Sequence, residues 1–176
     1  MSQGLTHYYF GRGKGKTTAA LGLALRAAGC GKNVVIVQFL KDWKCGELGS
    51  LGYIPNISVF RGKSSGGAYV RDMSDEEKAE TKNIHEHNLQ KAIELVEKGD
   101  CDLLILDEAA DACALEVLDK GMLEKLVLEK PEQLELVVTG HGTDPLLLEK
   151  ADYVTEMVKH KHPFDKGVPA RRGVEF

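Results

Sequence analysis

At 176 residues, with a net charge of −4 and a pI near 5.9, the chain has no general basic field, which weighs against nucleic acid as its main partner. One domain over 1–176 is expected, large enough to bury about two-thirds of its unfolded surface. No secretory core or long apolar span occurs, so the expected location is the cytoplasm and no membrane partner is expected. The cysteines Cys30, Cys45, Cys101 and Cys113 show neither C-x-x-C pairing nor zinc spacing. Cys101 and Cys113 are expected in core or helix, and Cys45 as an inert thiol in a loop.

In chain order, Leu5, Tyr8, Tyr9 and Phe10 read as a strand and 18–28 as an alanine-rich helix. Between them lies Gly11-Arg12-Gly13-Lys14-Gly15-Lys16-Thr17-Thr18. The apolar runs 34–37, 103–106 and 134–138 suit strands buried on both faces of a parallel sheet. A helix is expected over 75–98. Ser74 and Glu77 give it a capping-box signature, Leu89, Ala92, Ile93 and Val96 an apolar stripe, and Gly99 a stop. Further helices are expected over 119–129, before Pro131, and near 145–150. The alternation predicts an α/β fold with a mostly parallel sheet and helices on both faces. Segments 40–73 and 158–176 take no clear assignment. Both are candidates for a second substrate's site, because ligands of open parallel sheets gather at the strands' carboxyl ends.

The glycine-rich turn predicts triphosphate binding. Its glycines let the backbone N–H groups converge, Lys16 adds a positive charge, and the Thr17 hydroxyl can reach a magnesium ion. It departs from the strict G-x-x-x-x-G-K-[ST] pattern, since Phe10 stands where the first glycine belongs. Leu106-Asp107-Glu108 ends an apolar strand in two carboxylates, expected to hold magnesium, with Glu108 alternatively polarising a water. Thr139-Gly140-His141 is another strand-to-loop turn, and His141 there reads either as a phosphate or ribose contact or as a solvent-facing residue. His85 and His87 lie two apart on a helix, cannot chelate one metal, and are expected at the surface. His160 and His162 flank Lys161 in a sparsely basic tail, where anion contact or solvation is expected.

These residues carry a resemblance. The chain resembles the P-loop type ATP:cob(I)alamin (corrinoid) adenosyltransferases, whose sheet is similar to that of recombinase-like ATPases. The likeness runs through Gly11-x-Gly13-Lys14-Gly15-Lys16-Thr17-Thr18-Ala19-Ala20, with Gly22 and Arg26. It continues in Val37-Gln38-Phe39-Leu40-Lys41 with Trp43, Gly46 and Glu47, then in Leu106-Asp107-Glu108 and Thr139-Gly140. It closes with Ala151-Asp152-x-Val154-Thr155-Glu156-Met157 and Lys161-His162-x-Phe164-x-x-Gly167-x-x-Ala170-x-x-Gly173-Val174-Glu175-Phe176.

The resemblance implies that Co(I) of a corrinoid attacks the 5′ carbon of ATP and expels inorganic triphosphate, with the nucleotide reversed relative to ordinary P-loop enzymes. By position, Gly11, Gly13, Gly15 and Lys16 would cradle phosphates, with Arg12, Lys14 and Thr18 beside them. Thr17 and Glu108, with Asp107, would hold Mg2+. Trp43, His162 and Phe164 are candidates for the corrinoid side. The family implies a homodimer and a reducing flavoprotein partner. Family members often carry a Phe/Trp pair in the segment matching 61–73, where this chain offers only Tyr69, and an arginine where it has His141. An ordinary P-loop ATPase or kinase, or a nucleotide- or corrinoid-binding protein without turnover, are the alternative readings.

Overall fold

The computed structural model describes residues 3–41, 45–62 and 70–175. Six strands form one all-parallel sheet: β1 (Thr6–Phe10), β2 (Val34–Gln38), β3 (Ile57–Arg61), β4 (Leu103–Asp107), β5 (Glu135–Thr139) and β6 (Tyr153–Glu156), in the spatial order β3-β2-β4-β5-β1-β6. The helices are α1 (Lys16–Gly29), α2 (Gly46–Leu51), α3 (Asp75–Glu97), α4 (Ala109–Ala114), α5 (Lys120–Glu129) and α6 (Pro145–Lys150). The expected α/β architecture is therefore present, and every strand ends at the same edge.

Alternation along β2 explains why both faces are covered. Val34 and Ile36 pack with Ala20, Ala24 and Ala28 of α1, while Val35 and Val37 pack with Leu89, Ala92 and Val96 of α3. The three alanines recur every fourth residue on one face of α1, and their small side chains allow helix and sheet to approach closely. Ile36, Leu104, Ile105, Leu106, Leu136, Val137 and Val138 are fully buried, each worth about 1.5–3 kcal/mol relative to exposure.

The predicted caps form. The Ser74 N–H donates to Glu77 Oε2 (2.7 Å) and the Glu77 N–H to Ser74 Oγ (3.2 Å). Beyond the last turn of α3, Gly99 takes φ 78° and its N–H donates to Val96 O. The Asp119 carboxylate accepts from the Met122 N–H and that of Asp144 from the Leu146 and Leu147 N–H groups, capping α5 and α6.

The segment 40–73, unassigned from sequence, supplies α2 and β3 among its described residues. Trp43 and Tyr69 lie outside the described residues. Among its described residues, the tail after β6 holds one 3₁₀ turn, Pro163–Lys166. His87 is exposed, as expected, but His85 is not: it is 5% exposed. Its Nδ1–H donates to Val117 O (2.9 Å), its Nε2 accepts from the Leu40 N–H (3.3 Å), and its ring meets Phe39 edge-on. The surface expectation failed although the helix carried the signal: His85 lies four residues before Leu89, in line with Ala92 and Val96 on the buried stripe of α3. Burial pushes Cys101 and Cys113 up to about 12 and also raises Cys45, so all three thiols stay protonated.

Candidate active site

The loop from Gly11 to Gly15 leaves β1 and enters α1 at the common strand edge. Its shape is fixed by the chain that follows β6. The Gly13 N–H donates to Met157 O (2.6 Å) and the Met157 N–H to Phe10 O (2.7 Å). A Cβ on Gly13 would stand 2.5 Å from Met157 O, so no other residue fits. Gly15 sits at φ 117°, a left-handed conformation that turns the loop into the helix. No side chain caps α1, so its first N–H groups face the loop and favour an anion.

Lys16 is buried at the first position of α1, with Nζ donating to Gly11 O (2.6 Å) and Gly13 O (3.1 Å). Its pKa is lowered: burial dominates, against the opposing pull of Asp111, Glu108 and Asp107. The ammonium therefore rests on neutral carbonyls beside three acids. Arg12, Lys14 and Thr18 face solvent.

The second half of the site is built by sheet register. Gln38, Asp107 and Thr139 end β2, β4 and β5, three neighbouring strands. Asp107 is wholly buried and surrounded by donors. Its Oδ1 accepts from the hydroxyls of Thr17 and Thr139, both at 2.9 Å. Its Oδ2 accepts from Lys41 Nζ (2.5 Å) and Gln38 Nε2 (3.3 Å). Lys41 Nζ also donates to Thr17 Oγ1 (2.8 Å) and lies 3.5 Å from Glu108 Oε1. Burial alone would lower the Lys41 pKa, but Asp107 and Glu108 together outweigh it and raise it, so the group is an ammonium.

Glu108 sits at φ 64°, a conformation costing about 1–3 kcal/mol in a non-glycine residue and typical of functional turns. Its N–H donates to Thr139 Oγ1 (2.8 Å). Burial raises the Glu108 pKa, against the lowering effect of Lys41. Beyond β5, His141 Nδ1 meets Asp111 Oδ2 (2.9 Å), and the His141 N–H donates to both Asp111 oxygens. The hydrogen bond to Asp111 raises the His141 pKa, partly offset by burial, and Lys16 and Glu108 also act on it. Tyr8 donates to Gly142 O (2.6 Å), which ties the His141 loop to β1.

The structure thus gathers Gly11, Gly13, Gly15, Lys16, Thr17, Asp107, Glu108 and His141 at one edge. His162 and Phe164 stay in the tail: His162 Nδ1 accepts from the Phe164 N–H (3.2 Å), and the phenyl ring is 73% exposed. Sequence reasoning gave no role to Lys41, Gln38 or Asp111. Lys41 and Gln38 entered only as members of the Val37-Gln38-Phe39-Leu40-Lys41 stretch that carries the family resemblance.

The donor set fits a hard divalent ion. Thr17 Oγ1 and the Glu108 carboxylate are hard oxygens, a cation already sits among them, and Gln38 Oε1 is buried beside Asp107 with no partner among the described residues. Among the described residues no three His, Cys, Asp or Glu side chains form a metal cage by themselves. Such an ion would complete its shell with phosphate oxygens and water, the usual habit of magnesium.

The model of the family "ATP:corrinoid adenosyltransferase BtuR/CobO/CobP" matches residues 2–176. The chain is 33% identical over 175 residues to "Corrinoid adenosyltransferase" of Escherichia coli (strain K12), covering 99% of this chain and 86% of that protein. It is 31% identical over 175 residues to "Corrinoid adenosyltransferase CobA" of Salmonella typhimurium, with the same coverage. It is 32% identical to the Pseudomonas aeruginosa "Corrinoid adenosyltransferase", over 99% of this chain and 84% of that one. With the glycine loop and the Asp107 cluster in place along a match over residues 2–176, the chain belongs to the ATP:corrinoid adenosyltransferase family.

Proposed function

We propose that the chain transfers the 5′-deoxyadenosyl group of ATP to the Co(I) centre of a corrinoid at this site and releases inorganic triphosphate. The observation that carries the reading is that a chain matched by this family's model over residues 2–176 sets the glycine loop, Lys16, Thr17, Asp107 and Glu108 side by side at one sheet edge. The cobalt electron pair forms the Co–C5′ bond as the C5′–O5′ bond breaks, and the bonding pair leaves with the triphosphate. Cobalt passes formally from Co(I) to Co(III). Because C5′ is saturated, no oxyanion hole is required, and what needs stabilising is charge gathering on the leaving group.

In this reading the loop N–H groups hold the phosphates, and Lys16 turns from the Gly11 and Gly13 carbonyls towards the leaving triphosphate. Arg12 and Lys14 assist from the rim, and His141 adds positive charge from the far side. A magnesium ion bound with the nucleotide would neutralise part of the triphosphate charge. Thr17 and Glu108 would hold it directly. Asp107, whose oxygens are engaged by four donors, would orient the Thr17 hydroxyl from behind. Phe164 and His162 in the exposed tail, with Trp43, are proposed for the corrinoid side. A homodimer, a flavoprotein that delivers reduced corrinoid, and a cytoplasmic location belong to the same proposal. Sedimentation of the purified chain tests the first of these.

The deciding experiment is anaerobic: the protein, Mg-ATP and chemically reduced cob(I)alamin, followed by visible absorption and phosphate analysis. A light-sensitive adenosylcobalamin spectrum with one triphosphate per turnover is expected. ADP and phosphate with an unchanged corrinoid would overturn the reading in favour of an ordinary ATPase.

A further inference from the structure

Lys41 reaches the carboxylates by a turn built for that purpose. Leu40, a non-glycine residue, takes φ 56°, and the strained turn is pinned on both sides. The Phe39 N–H donates to Asp107 O (3.0 Å), and the Leu40 N–H donates to the buried His85 Nε2 (3.3 Å). The Lys41 side chain, 8% exposed, is thereby directed back across the end of β4. Its ammonium touches Thr17 Oγ1 and Asp107 Oδ2 and lies 3.5 Å from Glu108 Oε1.

We infer that Lys41 is a built-in counter-cation: its ammonium holds the place among Thr17, Asp107 and Glu108 that a divalent ion entering with ATP must take, and the ion displaces it. The inference rests on the proposed metal role of Thr17 and Glu108. Two cations cannot share those oxygens at contact distance without strong repulsion. The lysine thus offsets part of the charge of the buried Asp107 and the half-buried Glu108 and makes the site selective for an ion that brings its own anionic ligands. When triphosphate leaves with its ion, the returning ammonium closes the site behind it. Lys41 acts as a positioning residue and needs no contact with the reacting carbon.

The test is Mn2+ binding, read from the electron paramagnetic resonance of the free ion, on the full chain without nucleotide. Lys41→Met is expected to bind Mn2+ at least about tenfold more tightly than the unaltered chain, because the competing charge is gone. Adding Glu108→Gln should remove that gain. Equal Mn2+ affinity in Lys41→Met and the unaltered chain would overturn the inference. With ATP present, Glu108→Gln alone should weaken Mn2+ binding. If it does not, the metal assignment fails and the inference with it, whereas a loss there beside an unchanged Lys41→Met sinks the inference alone. Should Lys41→Met not fold, acetylation of the unaltered chain decides. Saturating Mn2+ should raise the modification rate of Lys41 several-fold, and an unchanged rate overturns displacement.

Discussion

Two carboxylates near the glycine loop are each paired with a cation, and the pairs differ in almost everything else. Asp107 and Lys41 lie at the end of β4 with side chains 1% and 8% exposed. Glu175 and Arg171 lie in the tail, where the Arg171 side chain is 58% exposed. The tail pair has more direct bonds between its two members: the Arg171 N–H and Nε–H donate to Glu175 Oε2 and Nη2–H to Oε1. The buried pair has two hydroxyls and an amide around it as well. Burial, more than the number of bonds, should decide what each pair is worth, since water competes for the exposed one and leaves the buried one no alternative.

The largest expected effect follows from breaking the buried pair. Asp107→Asn takes away the anion that Lys41 touches, leaving it only Glu108 at 3.5 Å, and puts an amide NH2 in place of one of the two acceptor oxygens. It should cost about 3–5 kcal/mol of stability, read as a lower urea midpoint, because a buried ammonium loses the carboxylate it touches and a donor is set against it. Adding Lys41→Met to Asp107→Asn should recover part of that loss, and strict additivity of the two changes would break the picture of a coupled pair. Adenosyl transfer should be lost in both variants.

Lys16 offers the contrasting cation. It rests on two carbonyls, and burial lowers its pKa where carboxylates raise that of Lys41. Little holds it there, so it can be redirected to phosphate. Lys16→Ala is expected to cut turnover by about a hundredfold to a thousandfold or more while the urea midpoint moves much less than for Asp107→Asn. A large stability loss with ordinary turnover would reverse the roles assigned to the two lysines.

The same contrast explains what could be read from the chain beforehand. The loop, the 103–108 run and the Ser74–Glu77 cap announce themselves because their signal is local: glycine spacing, a continuous apolar run, residues three apart. Lys41 and Asp107 are 66 positions apart, and only the β2–β4 register brings them together. His85 is a different case: its place four residues before Leu89 on the buried stripe of α3 was legible, and only its partners Val117 and Leu40, on other elements, were not. The strand β6 was missed because all four of its residues are exposed and offer no apolar run, while β3 lies within a glycine-rich segment whose alternation is weak. The Gly13–Met157 contact that shapes the loop joins residues with no sequence signal between them.

Between the two extremes stands His141 with Asp111, whose side chains are 59% and 18% exposed. The Asp111 bond raises the His141 pKa above 6.5, against a lowering by burial. The pair's stabilisation is then complete below pH 6.5, where the unfolded histidine is also protonated, and is lost as pH rises through the elevated folded value. Exposure limits its size to a few tenths of a kcal/mol. The melting temperature of His141→Gln should therefore trail the unaltered chain at pH 6 and meet it in the alkaline range. In the unaltered chain, the KM for ATP should rise over the same interval as the positive charge beside Lys16 disappears. A pH-independent KM would remove His141 from the phosphate site and leave it a surface histidine.

The smallest effect belongs to the tail. Arg171 holds Glu175 down to about 2, by side-chain and then backbone hydrogen bonds, which taken alone suggests a strong pair. Open to solvent, however, the arginine exchanges those bonds for water at little loss, and holding its long side chain in one rotamer carries an entropic cost. Glu175→Gln should therefore leave the melting temperature unchanged within error at pH 7, and high salt should not alter the comparison. Lys14 of the loop also acts on Glu175, so ATP affinity is the more sensitive readout. A tighter Kd for ATP in Glu175→Gln with unchanged stability would mean that the tail's charge reaches the phosphate loop. A lower melting temperature would instead show that the tail is anchored as firmly as the end of β4, and burial would no longer account for the difference between the two pairs.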